Sequence, residues 1–413
     1  MIKLSKEILI EEFLHLQEEG AKKIKNFQIT QNYYLKNSLY GKEYKKFWKN
    51  FNDFKKEVIA FKDTVNLKLL KKISNLEENN YLLKKENKKL LKEIISHDYL
   101  INLYNKALKT FYNFPSLPSF TPISSNGKVF LLNLSDIHLG EVVEAKYVNF
   151  TNEFNKEICV QRLNSIFKQI IEYGKNFKIQ ELHIVCNGDL LSGNIHNELV
   201  RTNDLNEVEA LFYLQQYLTK KFIELLSFFS LIKVYFIVGN HSRILPGKPY
   251  YKEKISMNYE YLLGKQLYLY FNALQEKENK KRIFIEVADS SFLVKKIKKL
   301  KFLFSHGDIL MGSGNGGFAG IPFYSICMSG AKLYGILHQI GINESVQFDH
   351  ILCGHLHTTT KIPLFNGGFC YINGCVIGTN EFSLYKMRSI AKKEQLLLTI
   401  NDDGICEEIN LKF

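Results

Sequence analysis

The stretch "VYFIVGNHSR", residues 234–243, passes from an apolar run directly into an amide, an imidazole and a guanidinium. The β-branched and aromatic run predicts a buried strand. Polar side chains at the end of such a strand cost free energy unless they find partners. Asn240 and His241 therefore belong either to a tight turn or to a binding site, and the rest of the chain decides between the two.

Potential metal ligands also follow four other apolar runs, which occupy residues 129–134, 182–186, 302–304 and 351–353. Any single Asp, Asn or His could be an ordinary turn residue. Chance does not account for the same outcome at five successive strand ends. The residues at the five ends are Asp136 and His138, Asp189, Asn240 and His241, His306, and His355 and His357.

Helical stretches separate these runs, so the region after residue 128 is expected to be an α/β domain with a mixed sheet. Ligands of open α/β sheets bind in the crevice beyond the carboxyl ends of the strands. The polar side chains at the five strand ends are therefore expected to converge in one crevice. The predicted helices occupy residues 155–176, 204–230 and 256–278.

The chemical types of these residues restrict the metal. Imidazole, carboxylate and amide groups without a thiolate suit Mn, Fe, Zn or Ni better than an all-oxygen Mg or Ca site. The number of ligands exceeds what one ion needs, so we expect two ions that share a bridging carboxylate. Two divalent ions about 4 Å apart can clamp a phosphoryl group and activate water. Manganese is the expected metal, with iron, zinc or nickel as alternatives.

The five motifs D-x-H, G-D, G-N-H, a lone His and G-H-x-H occur in this order over residues 128–385. In this respect the sequence resembles the calcineurin-like metallophosphoesterases. The resemblance implies a four-layer β-sandwich flanked by helices on both faces. It also implies hydrolysis of a phosphoester by a hydroxide that bridges two metal ions and attacks phosphorus in line.

The same resemblance assigns a role to each motif residue. The catalytic residues would be His241, which contacts the scissile phosphate, and Asp189, which bridges the two metals. His241 would stabilise charge or protonate the leaving oxygen. The first metal would be held by Asp136, His138 and His357, and the second by Asn240, His306 and His355.

The substrate is less well determined by the motifs. The motifs "DIHLG", "GNH" and "SHGD" are similar to those of nuclease subunits of double-strand-break repair complexes and their phage-encoded relatives. This similarity favours a DNA exonuclease or endonuclease in repair or recombination. Arg243 could hold a second phosphate of a polymer, or it could face solvent or pair with an acid. His196, in the loop 192–206, could touch the substrate or be a surface residue. The alternative function is a phosphatase or phosphodiesterase acting on a small-molecule, nucleotide or phosphoprotein substrate.

The expected domains are a basic helical module (1–64), a coiled-coil-like helix (65–110), a Pro/Ser-rich linker (111–127) and the α/β domain (128–413). Leucines recur every seven residues within 66–95, with Ile or Asn at the alternate position. This heptad is typical of a parallel dimeric coiled coil. The alternative is a long helix that packs its leucine stripe on its own chain. A homodimer is the expected assembly.

Positive charge is concentrated in the N-terminal part of the chain. Residues 1–120 hold 23 Lys against 14 acids, a net charge of +9, of the total +13. This region is therefore the expected contact for DNA or for a partner ATPase subunit. A compositional bias towards lysine, with only five arginines in the chain, is the alternative explanation.

Two further features concern the cellular compartment. The seven cysteines are scattered without a Cys-x-x-Cys pair, which favours reduced thiols in the cytoplasm. Neither a signal peptide nor an apolar stretch of about 18 residues is present, so no membrane association is expected.

Overall fold

A computed structural model describes residues 75, 78–84, 116–120, 126–196, 198–244, 253–310, 321–340 and 347–413. The chain divides into two compact units, residues 1–106 and 107–413. In the described part of the chain, no helix has the length and apolar character that a membrane crossing requires.

The second unit contains two β-sheets. The larger has the strand order β11-β10-β1-β2-β3-β4, and the smaller has the order β5-β6-β7-β9-β8. The strands are β1 (Val129–Leu134), β2 (Glu181–Asn187), β3 (Leu231–Ile237), β4 (Ile283–Val287), β5 (Phe292–Ile297), β6 (Leu300–Ser305), β7 (His350–Cys353), β8 (Thr360–Pro363), β9 (Phe369–Ile372), β10 (Glu394–Ile400) and β11 (Ile405–Lys412).

Among the residues that the structure describes, five α-helices accompany the sheets, together with a short 3-10 helix (Ala145–Val148) and a π-helical turn (Phe382–Lys386). The longest helices are amphipathic, so one face of each is free to cover a sheet. The α-helices are α1 (Lys156–Asn176), α2 (Leu199–Thr202), α3 (Glu207–Leu225), α4 (Tyr259–Glu278) and α5 (Phe323–Ile340).

Three apolar clusters separate four layers. The first lies between the larger sheet and the helices α1, α3 and α4. The second lies between the two sheets and includes Leu131, Val185 and Phe304. The third lies between the smaller sheet and α5, where Leu303 and Ile326 are buried. Helix, sheet, sheet and helix therefore stack in that order, which confirms the predicted four-layer sandwich.

The strand directions determine where the polar residues meet. Strands β1, β2, β3 and β4 run parallel in the larger sheet. Strands β6, β7 and β9 run parallel in the smaller one. The carboxyl ends of parallel neighbours lie at one edge of a sheet. Two sheet edges, one from each sheet, therefore present the ends of β1, β2, β3, β6 and β7.

The predicted helix 204–230 is wrong at its beginning, because Asn206 interrupts it. The Asn206 side chain accepts hydrogen bonds from the backbone N–H groups of Val208 and Glu209, and Glu209 bonds back to the N–H of Asn206. This reciprocal capping box starts a new helix. The helix in this interval is therefore α3, which starts at Glu207 and ends at Leu225, and the short helix α2 lies before the interval.

Part of the Pro/Ser-rich segment packs against the α/β domain. Leu117 is buried, and its N–H donates to the carboxylate of Glu278, 2.8 Å away. The guanidinium of Arg282 donates to the carbonyl of Pro118 at 2.7 Å and also to the carbonyls of Ser230 and Phe229. Residues 116–120 are therefore attached beside the starts of β3 and β4, at the edge opposite the strand ends that carry the polar residues.

The coiled-coil prediction falls mostly outside the described residues. Residues 75 and 78–84 are helical, with exposed side chains. Pairing of this heptad with a second chain stays a prediction.

Candidate metal centre

The polar residues at the five strand ends converge in space. Three sets of residues bring their ligand atoms together, and within each set these atoms lie within 4.8 Å of one another. The sets include residues that follow all five strands, and Asn240 is the one residue of the five strand ends that they do not contain. These residues are spread over more than two hundred positions of the sequence, so only the fold brings them together. The sets are Asp136, His138 and His357; Asp189, His306 and His355; and His138, Asp189 and His241.

The first set is built on β1 and the loop after β7. The Nε2 atoms of His138 and His357 are 3.2 Å apart, and Nε2 of His357 is 3.3 Å from Oδ1 of Asp136. Asp136 and His138 are buried. Both carboxylate oxygens of Asp136 also accept from the backbone N–H of His355, at 3.0 Å, which ties this set to the second one.

The second set is centred on His306. Its Nε2 lies 2.9 Å from Oδ2 of Asp189, 3.1 Å from Nδ1 of His355 and 3.2 Å from Oδ1 of Asn240. Its Nδ1 lies 2.9 Å from the carbonyl oxygen of Asn187, which can only accept, so Nδ1 carries a proton. Nε2 is therefore the nitrogen directed at the three other ligands.

Asp189 belongs to the second set, and its carboxylate also lies within 4.8 Å of a ring nitrogen of His138, a member of the first set. Burial raises the pKa of Asp189, but His306, His241 and His138 outweigh this and hold the pKa well below its usual range. Its other oxygen, Oδ1, accepts from the backbone N–H of His241 at 2.8 Å. The ionised carboxylate thus faces imidazoles from both sets, the position from which one group can contact two cations.

The donor atoms fit divalent metal ions. Two pairs of imidazole nitrogens face each other at 3.1 and 3.2 Å. Two ring nitrogens at that separation need either a shared proton or a common cation between them. A mixed set of imidazole, carboxylate and amide donors is suited to first-row transition metals. The residues present therefore fit two such ions.

The backbone is strained at most of these positions. Asp136, His138, Asp189, His355 and His357 all have φ between 51° and 71°. Non-glycine residues seldom adopt this left-handed region, and each costs free energy that the surrounding fold must offset. Strained residues of this kind cluster at functional sites, which agrees with a functional role for this centre.

Two glycines allow the ligand loops to approach each other. A Cβ on Gly239 would lie 2.1 Å from Oδ1 of Asp189, and a Cβ on Gly354 would lie 2.4 Å from Oδ2 of Asp136. Both distances are shorter than any non-bonded contact, and both neighbours are predicted ligands. The glycines of the G-N-H and G-H-x-H motifs are thus required by space.

His241 is adjacent to the metal ligands but directs its ring differently. Its Nδ1 lies 2.9 Å from the carbonyl oxygen of Ser192, and its ring packs edge-on against His138 with 4.5 Å between centroids. Burial lowers the pKa of His241 to about 4 despite the nearby Asp189. The ring is therefore neutral at pH 7, with Nδ1 protonated and Nε2 available to a substrate oxygen.

The two predicted substrate residues lie next to His241. The exposed ring of His196 is 6.1 Å from the His241 ring, measured between centroids, and stacks on Phe382 at the same separation. Arg243 is half-buried, and its Nε has no hydrogen-bond partner among the described residues. Within the described part of the chain, Arg243 therefore neither pairs with an acid in a salt bridge nor lies fully exposed to solvent, the two alternatives to a substrate contact.

Sequence reasoning missed two buried carboxylates. Oε2 of Glu141 lies 3.3 Å from Nδ1 of His138, and Oε1 accepts from the side-chain amide of Asn380 at 2.7 Å. This arrangement orients the ring of His138 and directs its Nε2 towards the first set. In the sequence Glu141 is one acid among many, so no local pattern distinguishes it.

The second missed carboxylate, Glu260 in the first turn of α4, joins the ligand loops. Its Oε1 accepts from the N–H of Leu190 at 2.6 Å and from the hydroxyl of Ser242 at 2.7 Å, and its Oε2 accepts from the N–H of Gly239 at 2.6 Å. These three donors flank Asp189, Asn240 and His241 in the sequence. Burial and the charge of Asp189 raise the pKa of Glu260 to about 7.

Glu260→Ala is expected to destabilise the metal-free protein by about 3 kcal/mol, because three buried donors lose their acceptor. It is also expected to weaken metal binding, since the two loops lose their common anchor. Denaturant unfolding and Mn²⁺ titration measure the two effects. The matched control is Glu286→Ala, which removes a surface ion pair with Lys295 and is expected to change stability by less than about 1 kcal/mol. Equal stability of the two variants would contradict the assigned role.

Metal binding is expected to release protons at pH 7. Burial lowers the pKa of His306, but Asp189, Asp136 and Asp308 outweigh this and raise the pKa to about 10 in the metal-free site. His306 therefore carries a proton on Nε2 that a metal must displace. Because the folded pKa is raised, this proton stabilises the metal-free protein below pH 6.5, and the stabilisation is lost as the pH rises towards 10.

Calorimetric titration with Mn²⁺ in buffers of different ionisation enthalpy measures the released protons. We expect release of about two protons per protein at pH 7. One comes from His306 and the other from His357, because burial lowers the pKa of His357 but Cys375 and Asp136 outweigh this and raise it well above its usual range. The apparent affinity is expected to rise by up to about tenfold per pH unit for each proton released. His355, whose pKa is lowered to about 4 by burial and by His306, is already neutral and adds no proton. Binding without proton release would contradict this protonation state.

Comparisons with known proteins agree with the site. The family model for calcineurin-like phosphoesterases matches residues 131–359. This interval contains every residue of the three ligand sets. No curated protein matches the chain in sequence.

Several solved structures are similar to this chain at low sequence identity and low TM-score. A dimetal phosphatase from Danio rerio is 9% identical, with a TM-score of 0.31, and the match covers 69% of this chain and 99% of that one. Vps29 complexed with Zn²⁺ from Entamoeba histolytica is 12% identical, with a TM-score of 0.29, over 68% of this chain and 99% of that one. A putative 5'-nucleotidase from Staphylococcus aureus is 11% identical, with a TM-score of 0.31, over 69% and 55%.

Proposed function

We propose, from the premise that this chain belongs to the calcineurin-like phosphoesterase family, that it is a two-metal phosphodiesterase that cleaves DNA. The family identifies a metal-dependent hydrolase with a dinuclear centre. The choice of DNA as substrate and of manganese as the metal is our proposal.

The convergence of two ligand sets on Asp189 is the observation that carries the proposal. The first ion would be held by Asp136, His138 and His357, and the second by Asn240, His306 and His355, with Asp189 between them. When bound, two such ions neutralise the phosphate charge and lower the pKa of water, so that a nucleophile is present at neutral pH. Glu141 and Glu260 hold the ligand loops in place for this chemistry.

His241 supports the reaction from outside the ligand sets. Its Nδ1–H is fixed by the carbonyl of Ser192, 2.9 Å away, so Nε2 is the atom that faces a substrate. Nε2 is unprotonated in the free site at pH 7, so it must first take up a proton, which the negative charge of a bound phosphate favours. The imidazolium can then donate to a phosphate oxygen, stabilise the charge that develops on it, and transfer the proton to the leaving oxygen.

Arg243 favours a polymer substrate. It follows His241 directly, its Nε lacks a hydrogen-bond partner among the described residues, and Asp189 and Asp308 are close enough to raise its pKa against the effect of burial. A half-buried guanidinium beside a phosphate site binds a further phosphate well, because its planar donors match phosphate oxygens. A phosphodiester chain offers such a phosphate next to the scissile one.

Arg243→Ala is expected to lower kcat/KM on DNA by about 10-fold to 100-fold, and to leave turnover of a small chromogenic phosphodiester within about threefold. The matched control is Arg201→Ala, an exposed arginine on α2, which is expected to change neither rate. Equal losses on both substrates would show that Arg243 supports the site in general and does not select a polymer.

The proposal extends to the assembly of the protein. Residues 66–95 would pair two chains, and the lysine-rich region before residue 120 would bind DNA or an ATPase subunit in repair or recombination. Light scattering tests the dimer: a dimer mass for the whole chain, and a monomer mass after deletion of 66–95, are expected. An unchanged monomer mass in both proteins would contradict it.

The substrate is tested by digestion of single- and double-stranded DNA with Mn²⁺, in parallel with a chromogenic phosphodiester and a chromogenic monoester. Cleavage of DNA and of the diester supports the proposal. Turnover of the monoester without cleavage of DNA would replace it with a phosphatase that acts on small molecules, nucleotides or phosphoproteins.

A further inference from the structure

A segment rich in cations and aromatic rings, residues 381–393, lies beside the candidate metal centre; we call it the basic–aromatic segment. It contains four Lys or Arg residues and one acid, a net charge of +3. All four cations are exposed. The cations are Lys386, Arg388, Lys392 and Lys393.

Backbone and side-chain contacts attach this segment to residues of the candidate metal centre. The N–H of Lys392 donates to the carbonyl of His357 at 2.9 Å. Asn380, which directly precedes the segment, donates to the carboxylate of Glu141 that faces His138. The segment therefore begins and ends on residues that position the first ligand set.

Its aromatic side chains form an exposed surface that reaches His241. Phe382 is 49% exposed and Tyr385 is 60% exposed. The Phe382 ring stacks on His196, which in turn packs edge-on against His241, with 6.1 Å between centroids in each pair. The hydroxyl of Tyr385 donates to the carbonyl of Tyr147 at 2.7 Å, and Tyr147 is itself 52% exposed.

The backbone of the segment is held in uncommon conformations. Phe382–Lys386 is a π-helical turn, a form that is rare and occurs frequently at functional sites. Arg388 has φ of 54°, in the left-handed region. The fold therefore maintains a costly geometry that exposes apolar rings, although burying those rings would be favourable.

The charge of the surface matches a nucleic acid. Besides the four exposed cations, Lys146 lies 4.6 Å from the Tyr147 ring centroid and pairs with Glu144, which neutralises the acid next to this ring. Aromatic rings that alternate with cations are the pattern by which proteins bind single strands, because bases stack on the rings while the cations contact the backbone. A paired duplex does not offer its base faces for such stacking.

We infer that the basic–aromatic segment stacks unpaired bases of single-stranded DNA next to the scissile phosphate, chiefly on Phe382 and Tyr385. This inference rests on the proposed nuclease function and specifies its substrate as unpaired DNA. His196 completes the surface between the stacked base and His241. A strand bound there places a backbone phosphate within reach of the ligand sets.

The test is a double variant, Phe382→Ala with Tyr385→Ala, assayed on three substrates. Loss of base stacking costs about 1–3 kcal/mol per base, so kcat/KM on single-stranded DNA is expected to fall by about 10-fold to 100-fold. Rates on double-stranded DNA and on a chromogenic phosphodiester are expected to stay within about threefold. The unchanged diester rate also shows that the variant folds and holds its metals.

Two controls separate stacking from other effects. Phe382→Tyr with Tyr385→Phe keeps both rings and is expected to match the wild type on single-stranded DNA. Tyr268→Ala removes an exposed ring on α4, outside the segment, and is expected to have no effect on any substrate.

The outcomes distinguish this inference from the proposed function. If the wild type cleaves DNA and the double variant cleaves single-stranded DNA at the same rate, the inference is overturned and the nuclease proposal stands. This result would be found if the surface bound a protein instead. Equal losses on single- and double-stranded DNA also overturn it, because stacking acts on unpaired bases. Hydrolysis of the diester by the wild type without cleavage of DNA overturns the nuclease proposal and the inference together.

Discussion

Asp189→Asn is expected to reduce hydrolysis of every phosphoester by about a thousandfold or more and to lower the metal content of the protein. The amide keeps the shape of the side chain, but it removes the negative charge that two cations would share. Several kcal/mol of charge stabilisation are lost with it, and each 1.4 kcal/mol is tenfold in rate. The strongly lowered pKa of Asp189 reflects the same concentration of positive partners around this carboxylate.

Elemental analysis of the purified variant and steady-state kinetics on DNA and on a chromogenic diester measure both effects. The matched control is Asp289→Asn, which alters an exposed aspartate that pairs with Lys265 and is expected to change neither property. Wild-type rates in Asp189→Asn would show that the bridging carboxylate is misassigned.

His241→Ala is expected to abolish most activity while sparing the metals. General acid–base groups contribute about 10²-fold to 10⁴-fold, so a loss in this range is expected on both DNA and small diesters. Metal content is expected to match the wild type, because His241 directs Nδ1 at the carbonyl of Ser192 and stands outside the two predicted ligand triads. Asn240→Ala, one residue earlier, is expected to lose metal, since its Oδ1 lies 3.2 Å from Nε2 of His306.

The contrast between these neighbours is the informative part of the experiment. Metal analysis and kcat measured on both variants distinguish a ligand from a proton donor. The control His338→Ala removes an exposed histidine of α5 and is expected to change neither value. Loss of metal in His241→Ala, equal to that in Asn240→Ala, would mean that His241 is a ligand.

The strand ends could be read from the sequence because a simple physical pattern marks them. Each core strand is a run of apolar residues that stops at a polar residue, and parallel strands place such ends at one edge. Asp136, Asp189 and His306 could therefore be placed in one crevice before any distance was known. The four-layer order followed from the family resemblance of the same motifs.

Other parts of the site had no such signal. Glu141 and Glu260 are acids in an acid-containing sequence, and only the tertiary fold shows that each is buried against a ligand loop. Between the sheets, the side-chain amides of Asn187 and Asn133 are hydrogen-bonded to each other at 3.0 Å, in strands that the sequence predicts to be apolar. Long-range contacts of this kind are not encoded in local periodicity.

Charge composition could not identify the basic–aromatic segment, for a similar reason. The excess of +9 in residues 1–120 directs attention to the N-terminal region, whereas the basic–aromatic segment carries only +3. Its position beside His357 and His241 gives that smaller charge its significance. The tertiary fold decides which cations lie near the candidate site, and amino-acid composition carries no information about it.

Crystals of the protein loaded with Mn²⁺, measured by anomalous diffraction, test the central claim most directly. The account predicts two peaks about 4 Å apart, one beside Asp136, His138 and His357 and the other beside Asn240, His306 and His355, with Asp189 in contact with both. A single peak, or two peaks that do not share Asp189, would contradict a dinuclear centre built from these strand ends.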